Sequence, residues 1–274
     1  MIFDVLIPAH SESQRQLENL LMSIWFQKTP GWTLGRILLC SDNPETAQAF
    51  SERCSIEFIP QEPHSGKPDA LNKMLYCSDA PFCIQNSADC IPASEKTYWY
   101  LLNPLANHIV GSVTSQPVPY QPGFMWLPDL VWKCHHFIQP KLNAELFSFR
   151  RDLVDPLPPG VIHDDAYIHN MILEKYYQVV YEPRAIVFNS APKTLREFYQ
   201  QRKKNVIGNL QLPKEFNQNP PRMLRMRSLI MMSLELLANA HGRLDYARAR
   251  IPKGLIGYNL ESTKEVMEND MHML

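Results

Sequence analysis

Apolar residues follow two rhythms along this chain. In the first half, short continuous apolar runs alternate with stretches of helical spacing. Phe3 to Ala9 reads as a buried strand, and Leu17, Leu20, Leu21, Ile24 and Trp25 then mark one face of a helix. Arg36 to Asp42 predicts a second strand, Pro44 to Arg53 a second helix, and Ser55 to Pro60 a short third strand. Asp69 to Leu75 reads as helix. Phe82 to Asp89 reads as a fourth strand that ends in an acid, with Pro92 as its stop. This alternation predicts an α/β fold: a mostly parallel sheet, helices on both faces and right-handed crossovers.

The second half is less regular. Ile109 to Ser115 predicts a strand, followed by a Pro-rich loop from Pro117 to Pro128 that carries Tyr120, Phe124, Met125 and Trp126. Glu145 to Arg150 reads as extended, Asp155 to Gly160 as loop and Asp164 to Tyr176 as helix. Pro183 is expected to split Val179 to Asn189 into two short extended pieces. Leu195 to Asn209 reads as a basic helix. Beyond Pro220 and Pro221, Met223 to His241 carries a strong apolar stripe. The pattern predicts a main domain over 1–212 and a helical appendage over 213–274.

Composition narrows the picture. Lys and Arg total 27 against 28 Asp and Glu, so no global charge favours nucleic acid. The 23 prolines against 10 glycines argue for stiff loops rather than flexible linkers. The 6 cysteines form no C-x-x-C pair, and several lie in apolar strands, which predicts reduced thiols in the cytoplasm. With the first strand predicted to begin beside Met1, no leader is expected. No apolar run reaches the roughly 18 residues of a membrane span. The best one, Ser228 to Ala238, is interrupted by Glu235. The histidines show no zinc spacing, and Cys134, His135 and His136 are adjacent and read as structural.

An acid at the tip of a central strand sits where open α/β sheets bind their ligands. Asp89 has that place, and Glu12, Asp42, Lys67 and Asp165 each flank a boundary of their own. Together they point to a site for a sugar nucleotide and a divalent metal. Asp89 suits Mg²⁺ or Mn²⁺, which prefer carboxylate and phosphate oxygens. Lys67 follows Gly66, which lets backbone pass close to a phosphate. The same residue types also serve as turn acids and helix caps. Both roles are compatible at one helix start, with Asp164 as the cap and Asp165 facing the cleft.

The ordered motifs resemble the inverting family-two glycosyltransferases with the GT-A fold. Val5 to Glu12, reading Val-Leu-Ile-Pro-Ala-His-Ser-Glu, resembles the opening strand motif Pro-Ala-Tyr-Asn-Glu. Cys40-Ser-Asp42 resembles the Asp-Asp after the second strand. Ser65 to Asn72 resembles the Gly-Lys-x-x-Ala-Leu-Asn segment. Ser87-Ala-Asp89 stands where the family has Asp-x-Asp, and His163-Asp-Asp165 where it has Thr-Glu-Asp. Arg196 to Asn205 resembles the Gln-x-x-Arg-Trp helix of the polymerising branch.

The resemblance implies a GT-A fold and inverting transfer from a nucleotide sugar, UDP-linked by expectation, to the hydroxyl of a glycan, lipid-linked or other acceptor. It implies Asp165 as the catalytic base and Asp89 as the metal ligand. Pro8, Ala9, Glu12, Asp42, Lys67, Ala88, Gln201, Arg202 and Lys204 are implied as donor-binding residues. There are departures from the pattern. Ser87 replaces the first Asp, Lys204 the Arg and Asn205 the Trp, and the family's membrane helices are missing. Asn189 stands where some relatives carry a metal-binding His. Without the Trp, processive synthesis is not expected. Arg222, Arg225 and Arg227 open the last helix, which either meets an anionic membrane over 222–241, at its inner face, or packs on the main domain. Two other readings stay open: a nucleotidyltransferase on the same core, and a nucleotide-sugar-binding protein without activity. The sequence does not indicate an oligomeric state.

Overall fold

The computed structural model describes residues 1–10, 12–43, 56–61, 65–120, 140–190, 192, 194–212, 237 and 240–243. The expected helix over 44–53, the loop residues Phe124, Met125 and Trp126, and most of the stripe over 223–241 lie outside the described residues. The elements are β1 (Ile2–Ala9), α1 (Gln14–Trp25), β2 (Thr33–Ser41), β3 (Ile56–Pro60), α2 (Lys67–Cys77), β4 (Phe82–Asn86), β5 (Ile91–Pro92) and α3 (Thr97–Leu102). They continue with β6 (Val110–Pro119), β7 (Leu146–Arg150), α4 (Asp164–Glu174), β8 (Gln178–Asn189) and α5 (Leu195–Gln211).

The strands form one 8-stranded sheet in the order β3-β2-β1-β4-β7-β6-β8-β5. β3, β2, β1 and β4 run parallel, as expected of strands joined through helices. β7 is antiparallel to both β4 and β6, while β6 and β8 pair in parallel and β5 closes the edge antiparallel. The apolar runs are continuous because both faces of the sheet are covered. Val5 and Ile7 pack against Leu17, Leu20, Leu21 and Ile24 of α1 and Leu101 of α3. Leu6, one residue out of phase, faces the other way. It belongs with Leu71 and Met74 of α2, Phe147 and Phe149 of β7, and Ile168 and Ile172 of α4. Ser13 caps α1, with reciprocal bonds between Ser13 and Gln16.

Four elements differ from the sequence reading. β6 runs on to Pro119, so the first residues of the stretch read as a Pro-rich loop pair with β8 as strand. β4 stops at Asn86, so Asp89 sits in a turn beyond the strand. The Asn86 amide makes that turn, donating to the carbonyls of Ser87 and Cys90 at 2.8 Å each. Pro92 is not a stop. It lies in β5 at the sheet edge, where a missing N–H is tolerated. β8 is one strand of 12 residues rather than two pieces. Its pairing with β6 slips between Thr114 and Gln116, and Pro183 falls in that irregularity. Glu182 fills the gap by accepting from Arg184 N at 3.0 Å and from its guanidinium at 2.8 Å.

Candidate active site

A cavity of about 330 Å³ opens at the C-terminal ends of β1 and β4. Pro8 and Ala9 line it from the end of β1, with His10 and Glu12 from the loop that follows. Ser87, Ala88 and Asp89 line it from the turn after β4, Lys67 and Ala70 from α2, Gln61 from the loop after β3, and Lys204 from α5. Gly66 enters α2 with φ of +87°, a conformation that only glycine adopts freely. The start of α2 therefore faces the cavity, and a helix N-terminus attracts anions.

Asp42 stands behind this lining, immediately after β2. Its Oδ2 lies 2.6 Å from His10 Nδ1, while the His10 backbone N–H donates to Glu12 Oε2 at 2.7 Å. His10 thus ties Glu12 to Asp42, a role the sequence reading did not assign to it. Its position between Ala9 and Glu12 was the available signal. Gln61 was also missed. Its amide donates to the Gly66 carbonyl at 2.6 Å and steadies the α2 entry.

Lys67 is engaged by the protein itself. Its Nζ lies 2.8 Å from the Ala144 carbonyl, 3.2 Å from Ser87 Oγ and 3.2 Å from Asp164 Oδ2. Two of these contacts are hydrogen bonds, to Ala144 and Ser87, and Asp164 Oδ2 is an ion-pair partner without a hydrogen bond among the described residues. Burial works against the charge on Lys67, but the Asp164 and Asp165 carboxylates overcome it and hold the lysine above its ordinary pKa. Burial raises the Asp164 carboxyl, with Lys67 opposing. His163, not Asp164, is the N-cap of α4, so Asp164 occupies the first helical position as an ion-pair partner instead of a cap.

Asp165 is half-buried on the same turn. Two other groups respond to its charge. Glu145, just before β7, has a raised pKa from burial and from the neighbouring Asp165 and Asp89. His169, one turn along α4, is held down to about 4 by burial and by Lys141, with Asp165 opposing. Its Nδ1 is buried without a hydrogen-bond partner among the described residues. A histidine depressed from 6.5 to about 4 costs the folded state progressively as pH falls through that window. The raised carboxyls of Glu145 and Asp164 act in the opposite sense, favouring the fold at low pH. The diagnostic comparison is therefore between proteins. His169→Gln should lose less thermal stability than the wild type between pH 7 and pH 4.5, read by calorimetry. Equal losses would remove His169 from the acid response.

α5 docks across the loop that precedes α4. Gln211 Oε1 accepts from Ile162 N at 2.9 Å, and its amide donates to the Gly160 carbonyl at 3.0 Å. Gly208 lies against the His163 ring, where a Cβ would sit 2.6 Å from the nearest ring atom. Lys204 thereby reaches the cavity. Arg202 lies over the Phe198 ring with its centre 5.2 Å from the centroid, and burial lowers its pKa. Gln201 is exposed and accepts weakly from Arg202 at 3.4 Å.

No helix among the described residues is long and apolar enough to cross a membrane. Cys40, Cys77, Cys83 and Cys90 are free thiols.

A sheet of this order, with a carboxylate-bearing turn and a basic helix at one end, defines a GT-A-like α/β protein. Solved structures share the fold. One is a mannosyltransferase from Pyrobaculum calidifontis in complex with GDP-Man and Mn²⁺, at TM-score 0.64 and 15% identity, covering 99% of this chain and 79% of that one. Another is mannosyl-3-phosphoglycerate synthase from Rubrobacter xylanophilus, at TM-score 0.57 and 15% identity, covering 78% and 74%. A mycobacterial protein matches at TM-score 0.55 and 14% identity, covering 75% and 72%. At these identities the likeness is one of fold. No protein-family model and no curated sequence matches the chain.

Proposed function

We propose that this protein is a metal-assisted inverting glycosyltransferase that uses a nucleoside diphosphate sugar. One observation carries the reading: Pro8, Ala9, Glu12, Lys67, Ala88, Asp89 and Lys204 come from four separate segments and line a single cavity. Glu12, joined through His10 to Asp42, suits the hydroxyls and base edge of a nucleoside. The α2 N-terminus and Lys204 suit its diphosphate. The Asp89 carboxylate is a hard oxygen donor that fits Mn²⁺ or Mg²⁺. Among the described residues no group of three or more His, Cys, Asp or Glu could hold an ion alone, which fits a cation shared with the donor's diphosphate. Such a cation, when bound, supplies charge neutralisation on the departing diphosphate.

The protein's own part follows from positions on α4 and α5. Asp165 takes the acceptor hydroxyl proton while that oxygen attacks the anomeric carbon. The bond to the diphosphate breaks on the opposite face, which inverts the centre. Lys204 and Arg202 offset the negative charge that develops there. Lys67 acts through Asp164, holding the α4 start against the Ser87 turn. Asn205 lacks the flat face of a Trp for stacking on an acceptor sugar, so single additions are the expected product.

A thermal-shift screen of nucleotide sugars tests this. UDP-sugars are the donors expected from the family resemblance, and GDP-Man is the ligand of the P. calidifontis structure. A donor at 100 times its Kd stabilises by about 2.7 kcal/mol. In a chain of this size each kcal/mol shifts Tm by roughly 2–4 °C. A metal-dependent rise of several degrees with one nucleotide family is expected. No shift with any nucleoside diphosphate and Mn²⁺ would overturn the proposal.

A further inference from the structure

Ser87 stands where the pattern this chain resembles carries its first acid, and its hydroxyl is committed elsewhere. It donates to the Ala144 carbonyl at 2.6 Å and accepts from Lys67 at 3.2 Å. Asp89 therefore has no second carboxylate from its own turn. Glu145 can supply one from the adjacent chain segment. The Ser87 backbone N–H donates to the Glu145 carbonyl at 2.9 Å, which extends the β4–β7 ladder and sets the two residues side by side. Asn143 fixes the approach to β7, donating to Thr114 Oγ1 and the Ser115 carbonyl at 2.8 Å each and accepting from Leu146 N at 3.1 Å. Asn189 then orients the acid, its amide donating to Glu145 Oε1 at 3.1 Å.

Acids grouped together do not make a metal site, but Arg202 adds an independent sign of a ligand. Its Nε is buried without a hydrogen-bond partner among the described residues. Glu145 acts on it electrostatically, yet no ion pair joins the two. A buried guanidinium N–H left over, on an arginine within electrostatic reach of Glu145, suits an added anion such as a diphosphate.

We infer that Glu145 is the second carboxylate ligand of the divalent cation, standing in for the acid missing at Ser87. Asp89 is the first ligand. The nucleoside diphosphate fills further positions and pairs with Arg202. Two carboxylates with diphosphate and water oxygens meet the oxygen coordination these hard cations require. The inference rests on the glycosyltransferase reading above.

The test is Mn²⁺ binding by the full chain, followed by the free-Mn²⁺ EPR signal with GDP or UDP present. Glu145→Gln preserves shape and an acceptor for Asn189. It should weaken Mn²⁺ by at least about tenfold, the scale of disturbing a metal site's surroundings, and leave metal-free GDP or UDP binding unchanged. Ser87→Asp added to Glu145→Gln should recover part of the loss, which a purely structural role for Glu145 would not produce. Wild-type Mn²⁺ affinity in a folded Glu145→Gln overturns the inference. If that variant does not fold, Glu145→Asp decides, because it keeps the charge one methylene short. Reduced affinity then supports the role, and unchanged affinity overturns it. If wild type binds no Mn²⁺ with either diphosphate, the enzyme reading fails and takes this inference with it.

Discussion

Asp165→Asn is expected to keep donor binding and to lose sugar transfer by about 10²–10⁴-fold, the usual worth of a positioned general base. The two acids at the start of α4 have been separated by their surroundings. Asp164 is 3% exposed and engaged by Lys67, while Asp165 is half-buried and has no ion-pair partner among the described residues. Asp165 does not itself line the cavity of the described residues, and it is the acid of the two that the proposed reaction assigns to the acceptor proton. An amide of the same shape keeps the packing of α4 but cannot take that proton. The measurement is turnover of the best donor with a hydroxyl acceptor, alongside the donor Kd by calorimetry. An unchanged Kd with a turnover loss of that size supports the base. Near-wild-type turnover would remove Asp165 from the base role and place that role on another group.

Much of the architecture was readable because burial on both faces leaves continuous apolar runs. Those of β1, β2 and β3 were placed to within a few residues of their observed ends. The misread elements have local causes. β8 was split because Pro183 ordinarily ends pairing, and nothing nearby in sequence shows that β6 slips register to accommodate it. β4 was drawn too long because Ser87 and Ala88 are compatible with a strand. Only the Asn86 amide, closing on Cys90, reveals a turn. Glu145 was passed over for a different reason. Its closeness to Ser87 and Asp89 depends on β7 inserting antiparallel beside β4. That is a non-local pairing, and no sequence period encodes it. Lys67 lines the cavity, but its three partners come from segments 20 to 97 positions away and no local sequence pattern announces them.

Lys67→Met should destabilise the fold by about 3–5 kcal/mol, the cost of leaving one member of a buried pair uncompensated. Lys67 and Asp164 have side chains only 27% and 4% exposed, so water replaces little of the lost interaction. The Ser87 turn and the Ala144 carbonyl lose a shared donor as well. For a chain of this size the fall in Tm is on the order of 10 °C. The pH dependence has a definite sign. Lys67 has a raised pKa in the fold, so its stabilisation is complete below the ordinary lysine value and is lost only at strongly alkaline pH. Without the lysine, burial raises the Asp164 carboxyl unopposed, so protonation relieves the variant at acid pH. Urea unfolding should show a larger deficit at pH 8 than at pH 5. Combining Lys67→Met with Asp164→Leu removes both charges, and it should recover most of the loss because apolar replacements of buried pairs are often neutral. A single variant within about 1 kcal/mol of wild type would place this pair among weak surface contacts. A double variant no better than the single would show that the lysine's bonds to Ser87 and Ala144, rather than its charge pairing, hold the two loops together.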